Sequence, residues 1–307
     1  VHCLCCSHIF NRAFDEDIIN EIYNNDNYSA SLPVSKNMIE RFKYRAESVI
    51  GDEHIKNKTV IEVGSTDFSF SKILLNLKAT KIIAFEPATS FKTQNPKIQL
   101  IQDYFSTLNI KKFVPHADLI VMRHVLEHLK NPLETIMNCL KSMKVGAKFY
   151  IEVPNINNIL ENSRVYDFFY EHVSYFSPEL LKYIIKELGH EIHKVAHLIS
   201  GQHFGILIEK KRTNESARAN FSNFKYNHSL IISKFKIEIQ SFEGKLLKIL
   251  STHNDIAIYG AGGHAISIIS RLNLSTDQVK FLLDLSPHKI GKKSPTGSIP
   301  IIKPSRS

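Results

Sequence analysis

Thr59-Val60-Ile61-Glu62-Val63-Gly64-Ser65-Thr66-Asp67 is the stretch on which the fold turns. A short apolar run ends in a glycine and a cluster of small polar side chains, which reads as a buried strand breaking into a strand-to-helix turn. The turn opens a helix, Ser69 to Leu77, and a second strand, Lys81 to Phe85, follows. Ile98 to Ile101 and Ala117 to Met122 read as further strands, Pro132 to Met143 as a helix and Lys148 to Val153 as a fifth strand. Strands alternating with helices predict an α/β fold with a Rossmann-like parallel sheet. Upstream, Lys36 to Val49 is a helix stopped by Gly51; downstream, Leu180 to Leu188 is a helix closed by Gly189, and His203 to Glu209 returns as a late strand. After residue 212 the character changes, and residues 213–250 read as a linker followed by a long helix. Asp255 to Tyr259 then runs as a strand into Gly260-Ala261-Gly262-Gly263-His264, with a helix to Leu272 and a strand from Val279 to Asp284, a second and smaller nucleotide-fold unit.

The 307 residues suit about two domains with room for a small third. At 43% hydrophobic and 22% charged residues, disorder and collagen-like repeats are excluded. The formal charge of +9 is scattered rather than gathered on one face, which argues against nucleic acid and for a small phosphorylated substrate. Three of the four cysteines, Cys3, Cys5 and Cys6, crowd the first six residues, and Cys139 stands alone. That usage predicts a cytoplasmic protein rather than a disulfide framework. No apolar run approaches the ~20 residues of a membrane helix, and Val1-His2-Cys3 does not read as a signal peptide. A start at Val beside a Cys pair predicts a piece of a longer polypeptide. Oligomeric state, monomer or dimer, is left open.

In open parallel sheets a ligand sits at the carboxyl ends of the strands, where a glycine admits the backbone and helix amides face the ligand. Glu62, Gly64, Ser65 and Asp67 occupy that place after the first strand. The second strand ends in Phe85-Glu86-Pro87, an acid about 20 positions on, suited to a ribose diol. The glycines that cradle a pyrophosphate are absent, so the expected ligand is S-adenosylmethionine, a nucleoside without phosphate. Asp103, after the third strand, stands where an adenine amino group is met. The fourth strand is followed by Arg123-His124-Val125-Leu126-Glu127-His128, whose His124 and His128 are one helical turn apart and would share a face. A zinc reading of that pair lacks a third ligand nearby, and a polar active-site wall or a surface pair is expected instead.

Ile61 to Asp67, Phe85-Glu86-Pro87, Arg123 to His128 with Leu129 and Pro132, Ile151-Glu152-Val153-Pro154-Asn155 and, above all, Tyr170-Glu171-His172-Val173-Ser174-Tyr175-Phe176-Ser177 resemble the S-adenosylmethionine-dependent sugar C-methyltransferases. The resemblance covers nearly the whole chain. It implies methylation of a ring carbon beside the ketone of a nucleotide-linked deoxysugar. It also implies three parts: a zinc-binding segment (1–31, cut at its amino end), a class I methyltransferase domain (32–212) and, after the linker and helix (213–250), a substrate-side nucleotide-fold domain (251–307).

Methylating such a carbon requires removal of its α-proton and stabilisation of the enolate. The resemblance makes His172 the base, Glu171 its orienting or sugar-binding partner and His128 the group facing the enolate oxygen. Taken without the resemblance, Glu171-His172 reads equally as an exposed pair before a helix that Pro178 starts. Arg123 and His124 join the cofactor residues Glu62, Gly64, Ser65, Asp67, Glu86, Pro87 and Asp103. Tyr28, Asn155, Tyr175, Gly260, Gly262, Gly263 and His264 are expected on the substrate. Cys3 and Cys6 resemble the second half of a zinc site whose other half would precede Val1. Two alternatives stay open: a non-catalytic binding protein on the same fold, and an O- or N-methyltransferase acting on another small molecule.

Overall fold

The computed structural model describes residues 1–17, 36–213, 219–224, 226–253 and 255–305. They form two compact units, Val1–Ile156 with Tyr170–Asn227, and Asn157–Phe169 with His228–Ser307.

The first unit carries strands β1 (Ile9–Phe10), β2 (Thr59–Val63), β3 (Lys81–Phe85), β4 (Ile98–Ile101), β5 (Leu119–Arg123), β6 (Lys148–Pro154), β7 (Ser174–Tyr175), β8 (Glu191–Leu198) and β9 (His203–Glu209). Seven of them make one sheet in the order β4-β3-β2-β5-β6-β9-β8. The five from β4 to β6 are parallel, while β9 runs antiparallel to β6 and β8 antiparallel to β9. This is a mixed, Rossmann-like sheet. Parallel strands covered on both faces must be apolar throughout, and alternate residues of β2 to β6 enter two separate cores. Ile61, Val63, Phe85, Ile120, Met122, Phe149 and Ile151 pack on one face. Val60, Ile82, Ala84, Leu119, Val121 and Tyr150 pack on the other.

The helical segment Lys36 to Val49 is two structures: an α-helix over Lys36–Tyr44 and a π-helical stretch over Arg45–Gly51. The widened turn buries the Arg45 side chain, although arginine is rarely buried without a partner. Strand β8 is not anticipated by the sequence reading, because its charged and apolar residues mix as an exposed edge strand allows. The supposed helical turn over 124–128 is also absent. His124 is left-handed, with φ +52°, and only Leu126–His128 form a 3-10 turn.

The second unit contains the helix Ser229–Thr252, then β10 (Ala257–Tyr259), the helix Gly263–Arg271, β11 (Phe281–Leu283) and β12 (Ile301–Ile302). The three strands are parallel, in the order β10-β11-β12, a small Rossmann-like sheet. Residues 157–169, read from sequence within the methyltransferase domain, pack with this unit. No helix among the described residues is long and apolar enough to cross a membrane.

Candidate active site

A cavity of about 650 Å³ opens where β2, β3 and β5 end. The strand order reverses beside β2, the place where open α/β sheets receive ligands. Of the residues expected on the cofactor, Glu62, Gly64, Ser65, Asp67, Glu86, Pro87, Asp103, Arg123 and His124 all line it. The β2 turn is shaped for close approach. Gly64 has φ +72°, and a Cβ there would lie 2.6 Å from Val125 Cγ2. Thr66 and Phe68 are left-handed as well, so the chain doubles back without a glycine-rich sequence. Thr66 N–H and Ala88 N–H each donate at 3.0 Å to the Glu86 carboxylate, which fixes its direction. Burial nevertheless raises the Glu86 pKa above the usual carboxylate range. Glu62, buried and hydrogen-bonded by Ser71 Oγ, is pushed up to about 7, because desolvation outweighs that bond. Ser65 Oγ is buried with no partner among the described residues, a polar atom turned to the cavity wall and left for a ligand.

Under the cavity lies a charged cluster whose centre is Glu152 of β6, which is fully buried. Arg45 Nε donates to both its oxygens at 2.8 Å, Tyr150 OH donates at 3.0 Å, His124 Nε2 lies at 3.2 Å and Arg123 Nε at 3.5 Å. Burial works against this charge, but His124, Arg123 and Arg45 overcome it and hold the carboxyl well below its usual range. The Arg123 guanidinium is sandwiched by the rings of Phe42 and Phe70, with centroids 4.2 and 4.4 Å away. Tyr150 reaches Glu152 only because position 205 is glycine, since a Cβ there would lie 2.3 Å from the tyrosine oxygen. His124 also faces Glu127, with Nδ1 to Oε1 at 3.4 Å. Burial alone would lower its pKa, yet the two carboxylates hold it at about 9. The neighbouring His203, 4.7 Å away ring to ring, is half-buried, and desolvation lowers it to about 3.

The third wall carries His128, which lines the cavity. Its ring meets that of His172 at 4.7 Å and 87°. His172 is 7% exposed, so the exposed-pair reading of Glu171-His172 fails. Burial lowers its pKa to about 4. Glu171 presents its backbone carbonyl to His128 Nδ1 at 3.1 Å. The loop that carries the pair is held from two sides. Val173 N–H donates to Glu127 O at 2.8 Å, Asn11 N–H donates to Val173 O at 2.9 Å, and β1 pairs antiparallel with β7. Asn11 Nδ2 donates to Tyr170 O at 2.8 Å, and Tyr170 OH donates to Ala13 O at 3.0 Å.

The other expected residues lie elsewhere. Asn155 is buried, donating to Gly201 O at 3.0 Å, and Tyr175 packs its ring 5.8 Å from that of His172; neither is on the cavity wall. Tyr28 lies outside the described residues. Gly260, Gly262, Gly263 and His264 belong to the second unit. There Asp284 accepts from Ala261 N–H at 2.9 Å, and His264 Nε2 lies 2.9 Å from Asp167. Arg45, Glu127, Glu152 and His203 are polar members of the site to which the sequence reading gave no role. A buried acid in an apolar strand was the available signal for Glu152.

Cys3 and Cys6 face one another across a tight turn whose Cys6 and Cys5 N–H groups lower the Cys3 thiol. Two thiols are half of the four ligands of a closed zinc site, and no third ligand group joins them among the described residues. Three other His and carboxylate triplets come close together, His124–Glu152–His203, Glu127–His128–His172 and Glu191–His193–Glu209. The carboxylates of all three already face protein cations: Arg45 and Arg123 at Glu152, His124 at Glu127, Lys148 and Lys211 at Glu209. None is assigned as a metal centre.

A mixed seven-stranded sheet with its cavity at the carboxyl ends of the parallel strands defines a Rossmann-like fold with a ligand site at its switch point. Residues 37–195, more than half the chain, match the family model described as a methyltransferase domain. Residues 208–307 match the model described as a C-methyltransferase C-terminal domain. The chain belongs to the methyltransferase family and is a methyltransferase enzyme. Among solved structures it is similar to a SAM-dependent methyltransferase from Archaeoglobus fulgidus (18% identity, 56% of this chain and 94% of that one, TM-score 0.44). It is also similar to an O-methyltransferase family protein from Burkholderia thailandensis (11%, 59% and 57%, 0.45) and to the 1,6-didemethyltoxoflavin-N1-methyltransferase of the same organism (7%, 61% and 93%, 0.43). No curated protein matches the chain.

Proposed function

We propose that this chain transfers a methyl group from S-adenosylmethionine to a ring carbon beside the ketone of a nucleotide-linked deoxysugar. The observation that carries the reading is the meeting of His128 and His172 at 4.7 Å beside the cavity. A C-methylation needs both a base and a group for the enolate oxygen, whereas O- or N-methylation needs no carbon acid. The C-methyltransferase description of the C-terminal model supports the same choice.

The cavity residues fit the cofactor. A volume of about 650 Å³ is in the range of small-molecule sites, the unpartnered Ser65 hydroxyl and the glycine-dependent turn face it, and Glu86 offers fixed carboxylate oxygens to a ribose diol. Bound there, the cofactor supplies a methyl group on a sulfonium and leaves as S-adenosylhomocysteine. His172, held neutral at pH 7 by burial, takes the α-proton while the C–H electron pair moves onto the ketone oxygen. His128, tied through Nδ1 to the Glu171 carbonyl, presents Nε2 to that oxygen. The methylated carbon restores the ketone, and His172 returns its proton to water.

His172→Ala is expected to abolish turnover on a panel of 4-keto sugar nucleotides, read as gain of one methyl by mass spectrometry. Calorimetric affinity for S-adenosylmethionine should stay near wild type. A variant that keeps near-wild-type turnover overturns the base assignment.

A further inference from the structure

Glu127 is a buried group beside His128 and His172 to which the proposed reaction gives no role. It is 1% exposed, and its Oε2 has no hydrogen-bond partner among the described residues. An ionised carboxylate in that position is costly unless a cation faces it. Its Oε1 already faces His124. One carboxylate oxygen of Glu127 and a ring nitrogen each of His128 and His172 also lie within 4.8 Å of one another.

His128 explains what that carboxylate is for. A carbonyl oxygen only accepts, so the 3.1 Å contact with Glu171 O places a proton on His128 Nδ1. A neutral ring then has a bare Nε2, which accepts hydrogen bonds but cannot donate one. To donate to an enolate oxygen the ring must carry both protons, and the charge so gained needs a counter-ion out of water. His172 is the neighbour that must remain unprotonated to act as base. Two imidazoles side by side can take opposite roles only if something tells them apart.

We propose, resting on the C-methylation reading above, that Glu127 is a positioning residue that stabilises His128 as the doubly protonated donor while His172 remains the neutral base. The charged and titratable groups around it agree. Burial opposes its ionisation, but the bond from His124 and the field of His128 hold the Glu127 carboxyl below its ordinary range. His172 feels burial first and then the opposing fields of Glu127, His128 and His124, and settles low. A divalent cation on the same three residues is the competing way to satisfy Oε2. The cationic His124 beside Glu127 disfavours it, and Arg45 and Arg123 lie just beyond, on Glu152.

The test uses the full chain labelled with ¹⁵N-histidine, with His128→Gln and His172→Gln to assign the two rings, and the nitrogen pattern read at neutral pH. In wild type the His128 ring is expected to show the pattern of an imidazole protonated on both nitrogens, and in Glu127→Gln that of a neutral ring protonated on Nδ1 alone, because the opposite charge that favours the cation is gone. Glu127→Asp, which keeps a shorter charge, should retain more of the wild-type pattern, and it serves alone if the Gln variant does not fold. Zinc chloride should leave both rings unchanged. The same His128 pattern in wild type and variant overturns the proposal, as does stoichiometric zinc uptake that displaces the two ring signals. No substrate enters this experiment. An unchanged pattern with His172 still essential for turnover therefore sinks only the role of Glu127. A changed pattern with an active His172→Ala enzyme sinks only the C-methylation reading.

Discussion

Replacing Glu152 by alanine should destabilise the first unit more than any surface change can. The carboxylate is fully buried and accepts two 2.8 Å bonds from an Arg45 side chain only 4% exposed. Alanine leaves that guanidinium, and Arg123 behind it, without a counter-charge. Removing one partner of a buried pair costs about 3–5 kcal/mol, a large part of a total stability of about 5–15 kcal/mol. Glu152→Gln keeps the shape and one acceptor and should fall between. The chain has no tryptophan, so urea unfolding is best followed by far-ultraviolet circular dichroism. The difference should depend on pH in a particular way. Glu152 titrates well below its ordinary value when folded, so its contribution is present above about pH 4.3 and is lost as acid reaches the folded carboxyl. His124, held at about 9, contributes fully below about pH 6.5 and ceases to as pH rises through 9. The gap between wild type and Glu152→Ala is therefore widest between about pH 4.5 and 6.5. A loss under about 1 kcal/mol, the worth of an exposed ion pair, would refute the claim that this pair organises the floor of the cavity.

Two further outcomes follow from the β2 end of the cavity. Gly64→Ala puts an L-residue at φ +72° with its Cβ 2.6 Å from Val125; the backbone alone costs about 1–2 kcal/mol, which the turn relieves by moving off the shape that meets the cofactor, so calorimetric affinity for S-adenosylmethionine should weaken by about five- to thirtyfold, and an unchanged affinity contradicts the shaped turn. Glu62, raised to about 7 in the fold, contributes stability fully present below about pH 4.5 and lost as pH rises through 7. Glu62→Gln should thus be more stable than wild type above pH 7, by up to about 3 kcal/mol, and equal stability of the two proteins at pH 8 would show that the carboxyl is not held protonated.

Strand β2 was legible because a strand buried on both faces has to be apolar throughout, and its end was legible because a glycine there is followed by polar residues. Glu86 could be found by counting from one strand end to the next, since parallel strands bring successive ends to the same edge. Arg45 could not. It lies among exposed charges of a helix, its partner is 107 positions away, and the π-helical turn that rotates it inward has no local signature. His124 and His128 were placed on one helix face by spacing. The left-handed conformation of His124 instead sends the first to Glu152 and the second to His172. Glu127 has no local signature of its surroundings, because it meets His172 only through a loop more than 40 residues downstream.

The loop that carries His172 is held by the first residues of the chain as well as by its own motif. Its loop makes two-residue pairing with β1, and a ladder that short is marginal by itself. The further bonds from Asn11 to Val173 and Tyr170, and from Tyr170 to Ala13, extend it. The hairpin that carries Cys3 and Cys6 therefore shares its stability with the segment that holds the proposed base. Spacing of residues in the motif Glu171-His172 carries no trace of this, which is why the pair reads as exposed when taken alone.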